Sequence, residues 1–245
     1  AGWRDYYLKA KKVIFKKGIT SIGEGAFYNF QKLEEVVLPE GLKTIKDSAF
    51  FTCIRLKKIN VPTSLRTIGA SAFSETEFNA FSLERVKKIG NMCFSGSKIK
   101  EVYLSKDCRT SSLVFWGSED LKKVTIEKGV KKISYGMFCD TALKTIDIPG
   151  SVFQIGEDAF ADCKKLQKVT LHEGIKKVGK NAFYNTSLKE ITIPSTVTKL
   201  GKNAFRRESM EKSSLKKVVI RSKNIKKWGT MVFGATRDDL VIYVP

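Results

Sequence analysis

The chain has 245 residues and 42% apolar content, enough to bury a sizeable core and too much for wholesale disorder. Its 45 Lys plus Arg against 25 Asp plus Glu leave a formal net charge of +20, which calls for an anionic partner or an anionic surface. No apolar run approaches the roughly 20 residues that cross a bilayer, and five scattered Cys with a single His and no Cys-x-x-Cys pair argue against a disulfide scaffold or a structural zinc site.

Residues 1–10 lie outside the repeat that fills the rest of the chain. With Trp3, Tyr6 and Tyr7 they read as an amphipathic cap. From residue 11 to the end the sequence repeats. Phe recurs at Phe27, Phe50, Phe73, Phe94, Phe115, Phe138, Phe160, Phe183, Phe205 and Phe233, at intervals of 23, 23, 21, 21, 23, 22, 23, 22 and 28, and Ala precedes it in six of the ten cases. The copy from Leu166 to Phe183 shows the pattern best, L-x-x-V-x-L-x-x-G-I-x-x-V-G-x-x-A-F. Its first half alternates apolar and polar residues, as a half-buried strand does. Pro39, Pro62, Pro149 and Pro194 close that strand in four coils, because Pro cannot donate to a ladder. A short apolar pair such as Ile175 with Val178 comes next. Then a Gly (Gly23, Gly69, Gly90, Gly156, Gly179, Gly201 or Gly229) is expected to permit a tight bend into one turn of helix.

The third residue after the Phe is small and carries a hydroxyl or thiol in eight coils, among them Cys53, Thr76, Ser97, Ser118, Thr141, Cys163 and Thr186. A buried turn whose side chain bonds the backbone of its own or the next coil selects that set. One such coil cannot bury its apolar side alone, whereas stacked coils share a continuous core with the Phe column as its spine. The coils ending at Phe94 and Phe115 lack Gly, Ala or Pro at repeat positions, and should be locally irregular. Residues 206–214 (RRESMEKSS) are surplus to the period and predict a protruding mobile loop. Ile242-Tyr243-Val244-Pro245 repeats the strand-Pro pattern and stops, which suits either the boundary of an excised piece or a strand used by a partner.

The runs IGEDAFADCKKLQKVTL (Ile155 to Leu171) and SLKEITIPSTVTKLGKNAF (Ser187 to Phe205) resemble the BspA-type, or Treponema-type, leucine-rich repeat of bacterial and some protozoan surface proteins. The resemblance covers about Val13 to Pro245. It implies a leucine-rich-repeat solenoid, an α/β-type right-handed superhelix of mostly short β-strands with one-turn helical segments, about ten coils of about 22–23 residues in a single domain over residues 1–245. It also implies a surface-displayed or secreted binding module, with several relatives acting as adhesins. The family supplies no catalytic residues and no fixed ligand site. A basic start followed by an apolar stretch is absent, so any export signal is expected to have been cleaved or to lie outside this sequence.

The residues that invite a chemical reading are better explained by the repeat. His172 follows Leu171 where other coils place Pro, and reads as a surface turn residue. Cys53, Cys93, Cys108, Cys139 and Cys163 sit at repeat or adjoining positions and are expected to be reduced, packed thiols. Gly174 to Asn181 (GIKKVGKN) is one residue away from a phosphate loop, but its glycines are repeat positions and no helix is expected to follow. No paired carboxylates stand out, so the chain is read as a non-enzyme without cofactor or metal. Asn185-Thr186-Ser187 is a lone glycosylation sequon.

Function is expected on the outward residues of the longer strands, which carry twelve Lys against five acids. The candidate ligand-binding set is Lys57, Lys58, Lys100, Tyr103, Lys122, Lys123, Lys144, Lys168, Lys189, Lys216 and Lys217. A second ladder comes after the turn, Lys87 with Lys88, Lys131 with Lys132, Lys176 with Lys177, and Lys226 with Lys227. Such lysines either solubilise exposed strands and guard edges or form a polycationic face for a sulfated glycan, an acidic host or cell-surface protein, or an anionic envelope. The expectation is an extracellular or cell-surface monomer. The alternatives are an intracellular protein-interaction scaffold and a non-specific nucleic-acid binder, the latter disfavoured because Tyr103 is the only aromatic on the face and stacking is poorly served.

Overall fold

A computed structural model describes residues 6–208, 214–234 and 239–245. They form two compact units, one built from residues up to Tyr103 together with Asp107–Leu121, the other from Leu104–Lys106 together with residues from Lys122 onward. Both are parallel β-solenoids of the leucine-rich-repeat kind, and the chain carries about ten turns. Each regular turn contributes one strand to a first sheet and a two-residue strand to a second.

In the amino-terminal unit the first sheet pairs Lys12–Ile14, Glu35–Val37 and Lys58–Ile59, and the second pairs Ser21–Ile22, Thr44–Ile45, Thr67–Ile68, Lys88–Ile89 and Arg109–Thr110. In the carboxy-terminal unit Thr145–Ile148 pairs with Lys168–Leu171, and Glu190–Ile193 with Lys217–Ile220 and Val241–Tyr243. Its second sheet runs Lys132–Ile133, Gln154–Ile155, Lys177–Val178, Lys199–Leu200 and Lys227–Trp228. These pairings are parallel and join successive turns in register, as a repeat of near-constant period requires. Pro149 and Pro194 directly follow a strand, whereas Pro39 and Pro62 come after strands that have already ended at Val37 and Ile59; the carbonyls of all four accept a turn hydrogen bond from the residue three further on.

The expected Phe spine is present. Phe27, Phe50, Phe73, Phe94 and Phe115 stack face to face at 5.3–5.7 Å, and Phe138, Phe160, Phe183, Phe205 and Phe233 at 5.2–5.6 Å. Stacking so close is dictated by the roughly 4.8 Å strand spacing, and most of these rings are wholly buried. The small position after the spine also behaves as a buried bonding turn, with one change of partner. Thr76, Thr141 and Thr186 donate to the Phe carbonyl of their own coil, at 2.7–3.0 Å. Cys53, Ser118 and Cys163 donate instead to the Phe carbonyl of the preceding coil rather than the next, at 2.9–3.1 Å.

Two expectations need correction. The segment around each Phe is a non-helical turn, not one turn of helix. The second residue before the Phe has positive φ in all ten coils (Ser48, Asp158 and Asn181 are examples), and among the described residues the second after it does so in eight, such as Thr52, Asp162 and Asn185. Left-handed residues at both ends leave too short a right-handed run to propagate a helix. The amide groups go to the next coil instead: Phe160 N–H donates to Ala182 O at 2.8 Å and Asp162 N–H to Tyr184 O at 2.9 Å. The repeat glycine, in turn, is not there for its φ, since none of Gly69, Gly90, Gly156, Gly179, Gly201 or Gly229 has a positive one. A Cβ on Gly179 would stand 2.6 Å from Gly156 C and Glu157 N, so Gly is required where one coil's backbone lies against the preceding one. Gly23, with no such neighbour, has nothing within 4 Å.

Irregularity falls mainly on the coil ending at Phe94. No first-sheet strand forms between Lys58–Ile59 and Glu101–Leu104. Phe78 and Phe81 turn inward against Phe73 and Phe94, so core volume replaces the missing ladder. Asn79, Ala80 and Ser82, which fill the repeat's strand positions in this coil, are on no strand.

At the amino end residues 6–10 form a turn, with Tyr7 edge-on to Phe30. The rest of the expected cap, including Trp3, lies outside the described residues. So does most of the expected loop at 206–214, of which Arg206, Arg207, Glu208 and Ser214 are described. Ser214 Oγ donates to Leu188 O at 2.7 Å and so anchors the far side. Val241–Tyr243 is exposed throughout, and Val244 and Pro245 after it add no polar capping element.

Candidate functional site

The outward side chains of the first sheet are exposed as the alternation requires, with an exposed-buried pattern in Thr145–Ile148 and Lys168–Leu171. In the amino-terminal unit Lys57, Lys58, Lys100 and Tyr103 are all exposed. They do not gather into a positive field: Lys58 lies opposite Glu35, Glu35 also binds Lys12 at 2.8 Å, and Lys57 meets Glu77 at 3.4 Å.

In the carboxy-terminal unit Lys122, Lys123, Lys144, Lys168, Lys189, Lys216 and Lys217 are likewise exposed. Register sets two of them beside other residue types. Lys168 opposes Thr145, and Lys217 lies between Glu190 and Val241. Lys189 and Lys216, one residue before their strands, do sit side by side, with Lys216 N–H donating to Lys189 O. What this face assembles is a shallow depression of about 320 Å³ lined by Lys168, Thr170, Glu190, Thr192, Lys217 and Arg221. Arg221 lies outside the set read from the sequence. It comes after the strand, in the slot that other coils give to Pro, so the strand pattern alone gives no reason to count it outward. Lys217 Nζ also lies 5.6 Å from the ring centroid of Tyr243. The site therefore offers three cations, one carboxylate and two hydroxyls.

His172 is exposed, as expected, and its Nε2 is 2.7 Å from Asp147 Oδ1 on the neighbouring strand. The five cysteines are free thiols. Burial pushes Cys53 and Cys139 up to about 12 and Cys108 and Cys163 to about 11, and it raises Cys93 as well. At neutral pH the thiolate is then scarce. Among the described residues no three His, Cys, Asp or Glu side chains converge on a metal position, and no helix is long and apolar enough to cross a membrane. Gly174 and Gly179 are stacking glycines, each pressed against the backbone of the preceding coil, so the apparent phosphate loop is part of the repeat.

Carboxylates clip coils together, Glu173 and Glu127 among them. Glu173 accepts from Ser195 N–H at 3.0 Å, Ser195 Oγ at 2.8 Å and Thr196 N–H at 3.2 Å, and Glu127 accepts from Lys106 N–H at 2.9 Å and Ser105 Oγ at 3.1 Å. Both are held below the ordinary carboxylate value, chiefly by the backbone N–H of Ser195 and of Lys106.

Comparison with known proteins agrees with this geometry. The family model described as a BspA type leucine rich repeat region matches six copies over residues 6–113 and 109–211. Among solved structures, a leucine-rich repeat protein from Eubacterium ventriosum is 23% identical, with a TM-score of 0.65 over 98% of this chain and 68% of that one. A leucine rich cell surface protein from Faecalibacterium prausnitzii is 21% identical, with a TM-score of 0.63 over 94% and 74%. The pneumococcal vaccine antigen PcpA is 24% identical, with a TM-score of 0.52 over 89% and 64%. A search of curated protein sequences finds no match.

Proposed function

The chain belongs to the BspA-type leucine-rich-repeat family, and from that premise we propose that it is a non-enzymatic binding or adhesion module, displayed at the cell surface or secreted and acting as a monomer. Its ligand is an acidic protein surface or other anionic group that docks on the first sheet. The observation that carries this reading is the depression lined by Lys168, Lys217 and Arg221 together with Glu190, Thr170 and Thr192. Mixed charge with hydroxyls suits a protein surface, where complementary charges set specificity and encounter rate. A cell-surface neighbour of the same fold supports the location.

The test is a binding array of matrix proteins, cell-surface proteins and glycans, probed with the parent and with the Lys168→Glu, Lys216→Glu, Lys217→Glu variant. The variant should lose the parent's protein ligand at least tenfold. Unaltered binding removes the first sheet as the site.

A further inference from the structure

A second positive surface lies off the first sheet. On the second sheet of the carboxy-terminal unit, Lys177 opposes Lys199 and Lys199 opposes Lys227, three lysines on three consecutive strands. Lys132 continues the column through Gln154. The residues just before these strands are Lys131, Phe153, Lys176, Thr198 and Lys226, joined coil to coil by backbone hydrogen bonds. In each coil the residue before the strand and the first strand residue both face outward, except that Gln154 and Thr198 are half-buried, while the second strand residue is buried in all but the last. Seven lysines thus occupy four of these five coils, the fifth contributing Phe153 and Gln154, with no carboxylate at either position in any of them. No ion pair among the described residues engages any of the seven. The nearby acids are committed elsewhere, Glu157 to Lys180 at 2.8 Å and Glu173 to Ser195 and Thr196.

We propose that this face of the second sheet binds a linear sulfated polysaccharide. Like charges about 4.8 Å apart along a column repel, and a flexible polymer carrying an anion every sugar or two relieves the whole column at once. All seven cations are Lys, the mobile point-charge donor, and none is Arg, whose planar fork suits bidentate phosphate contacts. Gln154 and Thr198 interleave groups that can bond sugar hydroxyls. Phe153, 43% exposed between Lys131 and Lys176, offers one apolar plate for a sugar face. A single-stranded nucleic acid would need successive aromatic plates, and among these outward positions Phe153 is the one aromatic.

The inference rests on the binding-module reading but uses a different face, so two charge-matched variants separate the two. The probe is fluorescently labelled heparin, titrated into the parent, into K177Q/K199Q/K227Q and into K123Q/K168Q/K217Q. Each variant removes the same three charges from exposed sites, and circular dichroism checks that both stay folded. The second-sheet variant should lose at least tenfold in affinity and the first-sheet variant less than about threefold. If four lysines neutralise anions at a slope of about 0.7 per charge, parent affinity should fall ~50-fold between 50 and 200 mM salt. Phe153→Ala should weaken binding a few-fold and leave that salt slope unchanged. Equal losses in the two triple variants would show net charge alone at work and overturn the proposal, as would a single-stranded oligonucleotide bound as tightly through the same lysines. Absent heparin binding, with a protein ligand still lost on mutation of the first sheet, would sink this inference and leave the first-sheet reading standing.

Discussion

Gly179→Ala is the sharpest test of how the coils pack. The added methyl carbon would stand 2.6 Å from Gly156 C, Gly156 O and Glu157 N, all backbone atoms of the preceding coil that cannot swing away as a side chain tip can. Relief requires separating two coils joined there by Gly179 N–H donating to Ile155 O at 3.0 Å. Overpacking of this kind costs about 1–3 kcal/mol and more when the neighbour is rigid, so about 3 kcal/mol is expected, or roughly 6–12 °C in Tm for a chain of this size. Gly23→Ala is the internal control. It has the same place in the repeat, no positive φ and nothing within 4 Å, so Ala should be neutral or stabilise by about 0.4–1 kcal/mol through the unfolded chain. Urea midpoints of the two variants decide the matter. Equal midpoints would refute the close approach and return the glycine to a purely conformational role.

Phe160→Ala removes a wholly buried ring stacked between Phe138 and Phe183 and should cost about 3–5 kcal/mol, read as a lowered urea midpoint. Thiol titration with a disulfide reagent at pH 8 should be slow in the folded protein and complete in denaturant, because thiols raised to about 11–12 keep about 0.1% thiolate or less at that pH. Rapid native labelling of Cys53 or Cys163 would contradict the burial. Glu173 is depressed below its ordinary value of 4.5, so its clip stabilises the fold above that value and is lost as pH falls through the lower folded-state value. The Tm advantage of the parent over Glu173→Gln should therefore be present at pH 7 and shrink below about pH 4.5. A gap that widens in acid would reverse the assigned sign.

The Phe period is legible in the sequence because one ring per coil recurs at nearly constant spacing, and a buried aromatic stack tolerates little else. The turn around it is not, for a physical reason. Ser, Asp and Asn at the second position before Phe tolerate left-handed φ, but Met92, Leu113 and Met231 hold the same conformation without advertising it, so composition does not separate a turn from a helix. Likewise the glycine column marks close approach between coils, which no single coil reveals. On the surface, the sequence shows which residues are outward but not which share a column. Lys199 comes after Thr198 and breaks the Lys-Lys pattern of its neighbours, yet register places it between Lys177 and Lys227. Conversely, Lys168 and Lys217 look like part of one ladder in the sequence, and register sets them beside Thr145 and Glu190.

Whether binding resides on the exposed lysine-bearing faces of the two sheets is read most directly by lysine acetylation footprinting with mass spectrometry. With a bound protein ligand, Lys168, Lys216 and Lys217 should be protected, and with bound heparin, Lys177, Lys199 and Lys227. Protection confined to lysines off both sheets, such as Lys164, Lys165 and Lys202, would contradict both assignments.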